Sequence, residues 1–227
     1  MKPIHFVEAL GALDFENTFN PYSNRCAVHD LDDAPRRRSQ TLRSMLEAAT
    51  KLEIDSIWIG RDLGYRGGRR TGLALTDDVH IHAHAERWGI SIKRPTKGEA
   101  VAERTAAVIW SVLSRIEASV FLWNVFPLHP HESDDPFSNR SHNSRERRAG
   151  EELLFQLILL LKPCRLITIG NDAARTAHRL ADRHEVVQVR HPSYGGQTQF
   201  LAQMRELYDL PEGEVQDSLP YIAILDR

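Results

Sequence analysis

Short apolar runs alternate with helical stripes along this chain, and that alternation constrains the fold more than any other feature. The runs are Ile54–Ile59, Ser119–Trp123, Leu166–Ile169 and Val186–Val189. Each is short, rich in β-branched or aromatic residues and bounded by a turn-like residue, as a buried strand is. Between them, Leu42, Met45, Leu46, Ala49 and Leu52 follow helical spacing, with Ser39 in the N-cap position. Val101, Thr105, Val108, Ile109, Val112, Leu113 and Ile116 form a stripe of 3.6 period. Leu153–Leu161 is apolar almost all round, which predicts a helix buried on most sides; Asn143 and Glu146 form a capping pair ahead of it. Asn171 opens a further helix through Leu180, and Phe200, Leu201, Met204, Leu207 and Tyr208 mark the last. This pattern predicts an α/β fold of three layers, α/β/α, around a mainly parallel four-stranded central sheet.

The 227 residues, 41% hydrophobic and 26% charged, suit one globular domain spanning 1–227. Residues 1–38 read as an N-terminal extension and 209–227 as a C-terminal tail packed on that domain. Two cysteines, Cys26 and Cys164, are too few for a disulfide framework or a four-cysteine metal or iron–sulfur site. The N-terminus lacks the apolar core of a secretory signal, and no apolar run approaches the ~18–20 residues of a membrane helix. A cytoplasmic location is the expectation. Net charge is only −2, but arginine is segregated. Arg36, Arg37 and Arg38 form one group, Arg66, Arg69 and Arg70 a second, and Arg140, Arg145, Arg147 and Arg148 a third. Such segregation can build a basic face on a near-neutral protein, although a solvated surface has the same composition.

In sheets of this kind, sites form where loops leave the carboxyl ends of strands. The first strand leads into Gly60-Arg61-Asp62-Leu63-Gly64-Tyr65, then a glycine- and arginine-rich stretch to Gly72. Backbone amides and arginine together suit phosphate. The plain alternative for Asp62 is a salt bridge with Arg61 or Arg66. The second strand ends in Trp123-Asn124-Val125-Phe126, and an asparagine there can cap a loop or read an amide-like ligand. The fourth leads into Arg190-His191-Pro192-Ser193-Tyr194, where a histidine can donate to developing negative charge.

Gly60-Arg61-Asp62, Trp123-Asn124 and His191-Pro192-Ser193, in this order and each at a strand end, resemble the three motifs of the uracil-DNA glycosylase superfamily. The likeness runs from about Ile54 to Met204. It implies a cluster-free, metal-independent enzyme that flips uracil out of DNA and hydrolyses its glycosidic bond without a cofactor. It implies catalytic roles for Asp62, which positions the attacking water, and His191, which stabilises the departing base. Asn124 would read the uracil edge, with Gly60, Arg61, Tyr65, Leu75 and Phe126 around it. Leu75 stands where the family stacks an aromatic ring, and Phe126 or Tyr65 could substitute. Leu63 replaces the proline of the first motif, and Tyr65 lies one place beyond the residue that excludes a 5-methyl group. Arg66, Arg69, Arg70, Arg145, Arg147, Arg148, Ser193 and Tyr194 would hold single- or double-stranded DNA. The expected protein is a monomer with DNA as its partner and no membrane association.

Two other readings use the same residues. A module on this fold could hold damaged or abasic DNA without turnover, since Leu63 and Leu75 depart from the motifs. Alternatively, His80, His82 and His84, with His129 and His131, could bind a hydrolytic metal if the first three lay along a strand.

Overall fold

A computed structural model describes residues 1–181 and 183–211. The expected tail beyond Pro211 lies outside the described residues. In chain order the elements are α1 (Pro3–Gly11), β1 (Thr18–Phe19), α2 (Ala34–Ala49), β2 (Ser56–Asp62), α3 (Gly68–Thr71), α4 (Ile81–Glu86) and α5 (Arg104–Leu113). Then follow β3 (Val120–Phe126), β4 (His129–Pro130), α6 (Ser144–Leu161), β5 (Arg165–Ile169), α7 (Asn171–Leu180), β6 (Glu185–Val189) and α8 (Gln197–Tyr208).

Strands β3, β2, β5 and β6 form a four-stranded sheet in that order, with every neighbouring pair parallel. Strands β1 and β4 make a separate antiparallel pair. The strand period of two divides the core. Ile57 and Ile59 of β2, with Phe121 and Trp123 of β3, pack against α1, α2, α6 and α7. Trp58 and Leu122 face the other way, towards α5 and α8. The molecule is therefore the three-layer parallel α/β fold that the alternation predicts. Phe6 and Leu10 of α1 are fully buried in the larger core half.

Several boundaries differ from the sequence expectation. Strand β2 continues through Asp62 and β3 through Phe126, so the motif residues are the last rungs of the ladder rather than loop residues. Register pairs Gly60 with Asn124 and Asp62 with Phe126. Helix α2 begins at Ala34 instead of after Ser39, because Pro35 suits its first turn. Ser39 lies inside the helix and its hydroxyl donates to the Tyr22 carbonyl at 3.2 Å. Helix α6 leaves Phe155 and Leu159 exposed, so its apolar surface exceeds what its neighbours cover. The Asn143–Glu146 capping box is formed: the Asn143 side chain accepts from the Glu146 amide, and Glu146 accepts from the Asn143 amide.

Residues 81–86 are helical, so the three histidines do not share a strand face. His80 donates to Asp77 and stacks on Trp110, His84 is buried against Thr76, and His82 is exposed. Among the described residues, no three His, Cys, Asp or Glu side chains are grouped to hold a metal.

Candidate active site

The carboxyl ends of β2, β5 and β6 open onto one cleft of about 440 Å³. Asp62 at the end of β2, Gly170 after β5 and His191 after β6 all line it, as do Arg61, Leu75, Ser193 and Tyr194. Parallel strands deliver residues distant in sequence to one rim, which is why two of the three motifs meet here.

Asp62 is held tightly. Arg61 Nε donates to its Oδ2 at 2.8 Å and His142 Nδ1 donates to its Oδ1. The Asp62 side chain is only 7% exposed, and Arg61 also reaches Asp172 across the cleft at 3.6 Å. Arg61, placed beside the uracil site by sequence reasoning, is thus the counter-ion of the motif carboxylate.

His191 sits against Gly170, whose φ of +90° would strain any other residue and whose missing Cβ leaves room for the imidazole. Its Nδ1 accepts from the Ser193 amide at 3.1 Å. The ring proton is therefore on Nε2, leaving one N–H donor. Burial first, then the nearby Arg61 and Arg190 guanidinium groups, push its pKa below the usual histidine value. A neutral imidazole with a single outward donor is the result. Ser193 Oγ pairs with Thr105 Oγ1 at 3.2 Å, tying this turn to α5. Tyr194 is 99% exposed at the tip of the turn, with φ +53°.

Asn124 lies deeper. It is 1% exposed, and among the described residues neither its Oδ1 nor its Nδ2 has a hydrogen-bond partner. A buried amide without partners costs roughly 1–3 kcal/mol for each stranded group. Gly60 makes its position possible: a Cβ there would fall 2.4 Å from Asn124 Oδ1 and 3.1 Å from Leu75 Cδ2. Leu75 thus joins the cleft wall to the amide, and it holds a left-handed backbone at φ +53°.

Other expected residues fall elsewhere. Phe126 is fully buried edge-on to Phe15, because β3 turns it into the core half that holds α6. It does not stack over the cleft. Tyr65 faces Phe137 at 5.5 Å and is not among the cleft-lining residues. Arg69 and Arg70 are buried, not presented to a polyanion. Arg69 lies over Phe19 at 4.1 Å, and Arg70 pairs with Asp78. A Cβ on Gly68 would fall 2.4 Å from Leu63 Cδ2, so glycine is what lets the turn that carries both arginines pack this closely. Arg66, Arg145, Arg147 and Arg148 remain exposed. Arg145 covers Phe15 and Arg147 approaches Glu151 at 3.6 Å.

Three polar residues of the site escaped sequence reasoning. His142 precedes the α6 cap and has no motif around it. Asn139, which accepts from the Tyr65 amide and lines the cleft, is one more loop asparagine. Glu103 also lines the cleft, immediately ahead of α5, where the helical stripe gave a signal for the helix but none for its cap.

A family model described as Uracil DNA glycosylase superfamily matches residues 21–209. Among solved structures, the chain is similar to SMUG2 of Pedobacter heparinus, with 12% identity and a TM-score of 0.55 over 92% of this chain and 98% of that one. It is also similar to a variant of UNG from Nitratifractor salsuginis, at 16% identity and a TM-score of 0.42, covering 91% of this chain and 96% of that one. The first likeness shows a shared fold. No curated protein matches the chain. With a family model spanning most of the sequence, the chain belongs to the Uracil DNA glycosylase superfamily.

Proposed function

We propose that this DNA glycosylase excises uracil, hydrolysing the bond between uracil N1 and the sugar C1′ and leaving an abasic site. The Asn124 amide carries the reading: a buried side chain with an unused donor and an unused acceptor. Uracil presents N3–H beside O4, and one orientation of a carboxamide matches both, whereas cytosine presents the opposite pattern. Rotation of Leu75 opens the amide to the flipped base.

As the bond breaks, its electron pair leaves with uracil, and His191 Nε2–H donates to the anion. A neutral donor suits this role, since it needs no proton taken up first. Asp62 supplies negative charge to the cationic sugar and accepts a hydrogen bond from the attacking water. Arg61 and His142 occupy one direction on each of its oxygens, and each carboxylate oxygen has two lone pairs. The water oxygen joins C1′ and its proton is released. Ser193 meets a backbone phosphate, and exposed Tyr194 meets the DNA bases. The protein acts as a monomer in the cytoplasm, without a metal or cofactor.

Engagement of both Asp62 oxygens also suits the second reading, a module that holds abasic DNA without turnover. One assay separates them: single-turnover release of uracil from single- and double-stranded oligonucleotides. Wild type is expected to release uracil, unaffected by chelator, and Asn124→Ala to release it at least ~10² more slowly. Tight abasic-DNA binding with no release by wild type favours the module. Full activity in Asn124→Ala removes the amide from base recognition.

A further inference from the structure

We propose that His142 is the positioning residue of the motif carboxylate: its Nδ1–H fixes the Asp62 side chain so that the remaining lone pairs meet the attacking water and the sugar. The inference rests on the glycosylase reading of this cleft and adds to it a residue that lies outside the three motifs.

The contact is direct. His142 Nδ1 donates to Asp62 Oδ1 across 80 positions of sequence. Neither side chain is open to solvent: His142 is 10% exposed and Asp62 7%. Asp62 is the last residue of β2 and pairs in register with Phe126, the last of β3. The imidazole also packs on the Phe126 ring, with 6.1 Å between centroids and a tilt of 59°. It therefore closes the end of the β2–β3 ladder, meeting both residues of the final rung. Phe126, expected over the base, instead backs this imidazole.

The loop is built to hold the ring there. Both flanks of His142 are tied to one buried carboxylate, that of Glu146 on α6. Arg140 donates to Glu146 Oε1 at 2.6 Å and to Oε2 at 2.8 Å, and the Asn143 amide donates to Oε2 at 2.7 Å. The Thr18 hydroxyl donates to Oε1 at 2.9 Å. Arg140 also donates to the Asn17 and His131 carbonyls, at 3.1 and 2.9 Å. Burying an ion pair gains little stability over an apolar pair of similar volume. What this one secures is a fixed backbone on either side of His142.

Arg61 is less suited to the same role. Its side chain is 43% exposed and shared between Asp62 and Asp172. A long exposed side chain can turn to an incoming phosphate, whereas a buried imidazole between two fixed flanks keeps its place. A carboxylate free to rotate would aim its acceptors in several directions. Orientation of reacting groups carries large rate factors, and a misplacement of ~1 Å can cost about 10².

Two substitutions separate the hydrogen bond from the packing. His142→Asn keeps an N–H donor in the place of Nδ1 but loses the ring; His142→Phe keeps a ring against Phe126 but has no donor. In single-turnover uracil release, His142→Phe should be slower than wild type by about 10², and His142→Asn should recover most of that loss. Affinity for an oligonucleotide bearing a tetrahydrofuran abasic analogue should be unchanged in both, since the effect falls on the chemical step.

A cycle with Asp62→Asn gives a readout that a merely structural role would not move. His142→Phe should slow the Asp62→Asn protein little further, because both substitutions act through one carboxylate. Thermal melts identify any variant that has not folded. Wild-type release by folded His142→Phe, a larger loss in His142→Asn than in His142→Phe, or losses that multiply in the double variant would overturn the inference and leave the glycosylase reading intact. Absence of uracil release by wild type would overturn both.

Discussion

His191 shows how a single residue's state is set by its surroundings. Its Nδ1 is committed to the Ser193 amide, so the only proton it can offer a departing base is on Nε2. Burial and two guanidinium groups keep the ring neutral to lower pH than a free histidine. Protonation would set a second N–H at Nδ1 against the Ser193 amide and break the contact that places the ring, so glycosidic cleavage should rise as pH climbs through the lowered pKa and be flat above about 6.5, the ordinary histidine value. Stability follows the same direction. A histidine held neutral by the fold contributes stability that is present above the unfolded pKa and lost as pH falls below it. His191→Ala should slow single-turnover release by ~10²–10³ and flatten the acid limb. Release at the wild-type rate from folded His191→Ala would remove the ring from the chemistry. Sequence pattern pointed to this residue through its place before Pro192-Ser193. It could not give the tautomer, which depends on a backbone amide two residues away.

At the level of helices and turns, α2 and α3 explain why part of the expected basic rim is missing. Arg38 is fully buried on α2, where it pairs with Asp30 and donates through Nε to the Arg70 carbonyl at 2.8 Å. Gly72, the left-handed cap of α3, lies against the Arg38 side chain. An arginine run that reads as surface charge is thus partly a bracket joining α2 to the first-motif turn. Removing one partner of a buried pair leaves an uncompensated charge and typically costs about 3–5 kcal/mol. Arg38→Met should destabilise the fold by that order in urea denaturation. Arg38→Met with Asp30→Asn should recover a large part of the loss. A change below about 1 kcal/mol in Arg38→Met alone would show that the bracket carries no weight. Composition could not separate Arg38 from its neighbours Arg36 and Arg37, which bond to Asp33 near the surface.

Across the whole molecule, the parallel sheet gathers the chemistry at one edge and leaves the net charge of −2 spread around it. Arginines that remain exposed include Arg66, Arg147 and Arg148. Deleting one phosphate-neutralising side chain should lower the slope of log affinity against log salt by roughly one. Arg147→Ala with Arg148→Ala should lower it by about two while leaving the melting temperature nearly unchanged. The contrasting variant, Arg70→Ala, strands Asp78 in the core and should lower stability first. An unchanged salt slope in the Arg147/Arg148 double variant would place α6 away from the DNA.

The alternation of buried strands with helices, and hence the layered parallel sheet, was legible in the linear chain, because periodicity and β-branching act locally. So was the placing of Asp62, Asn124 and His191 near strand ends, since a parallel sheet carries all its carboxyl ends to one side. Which neighbours those residues keep is a matter of packing. His142 reaches Asp62 from 80 positions away, Glu103 lines the same cleft as Ser193, and Arg69 lies over the Phe19 ring. Phe126 turns into the core, though its position beside Asn124 suggests a place over the base. The reason is physical: propensity and period act within a turn or two of chain, whereas burial, ion pairing and protonation depend on atoms that only the packed fold brings together.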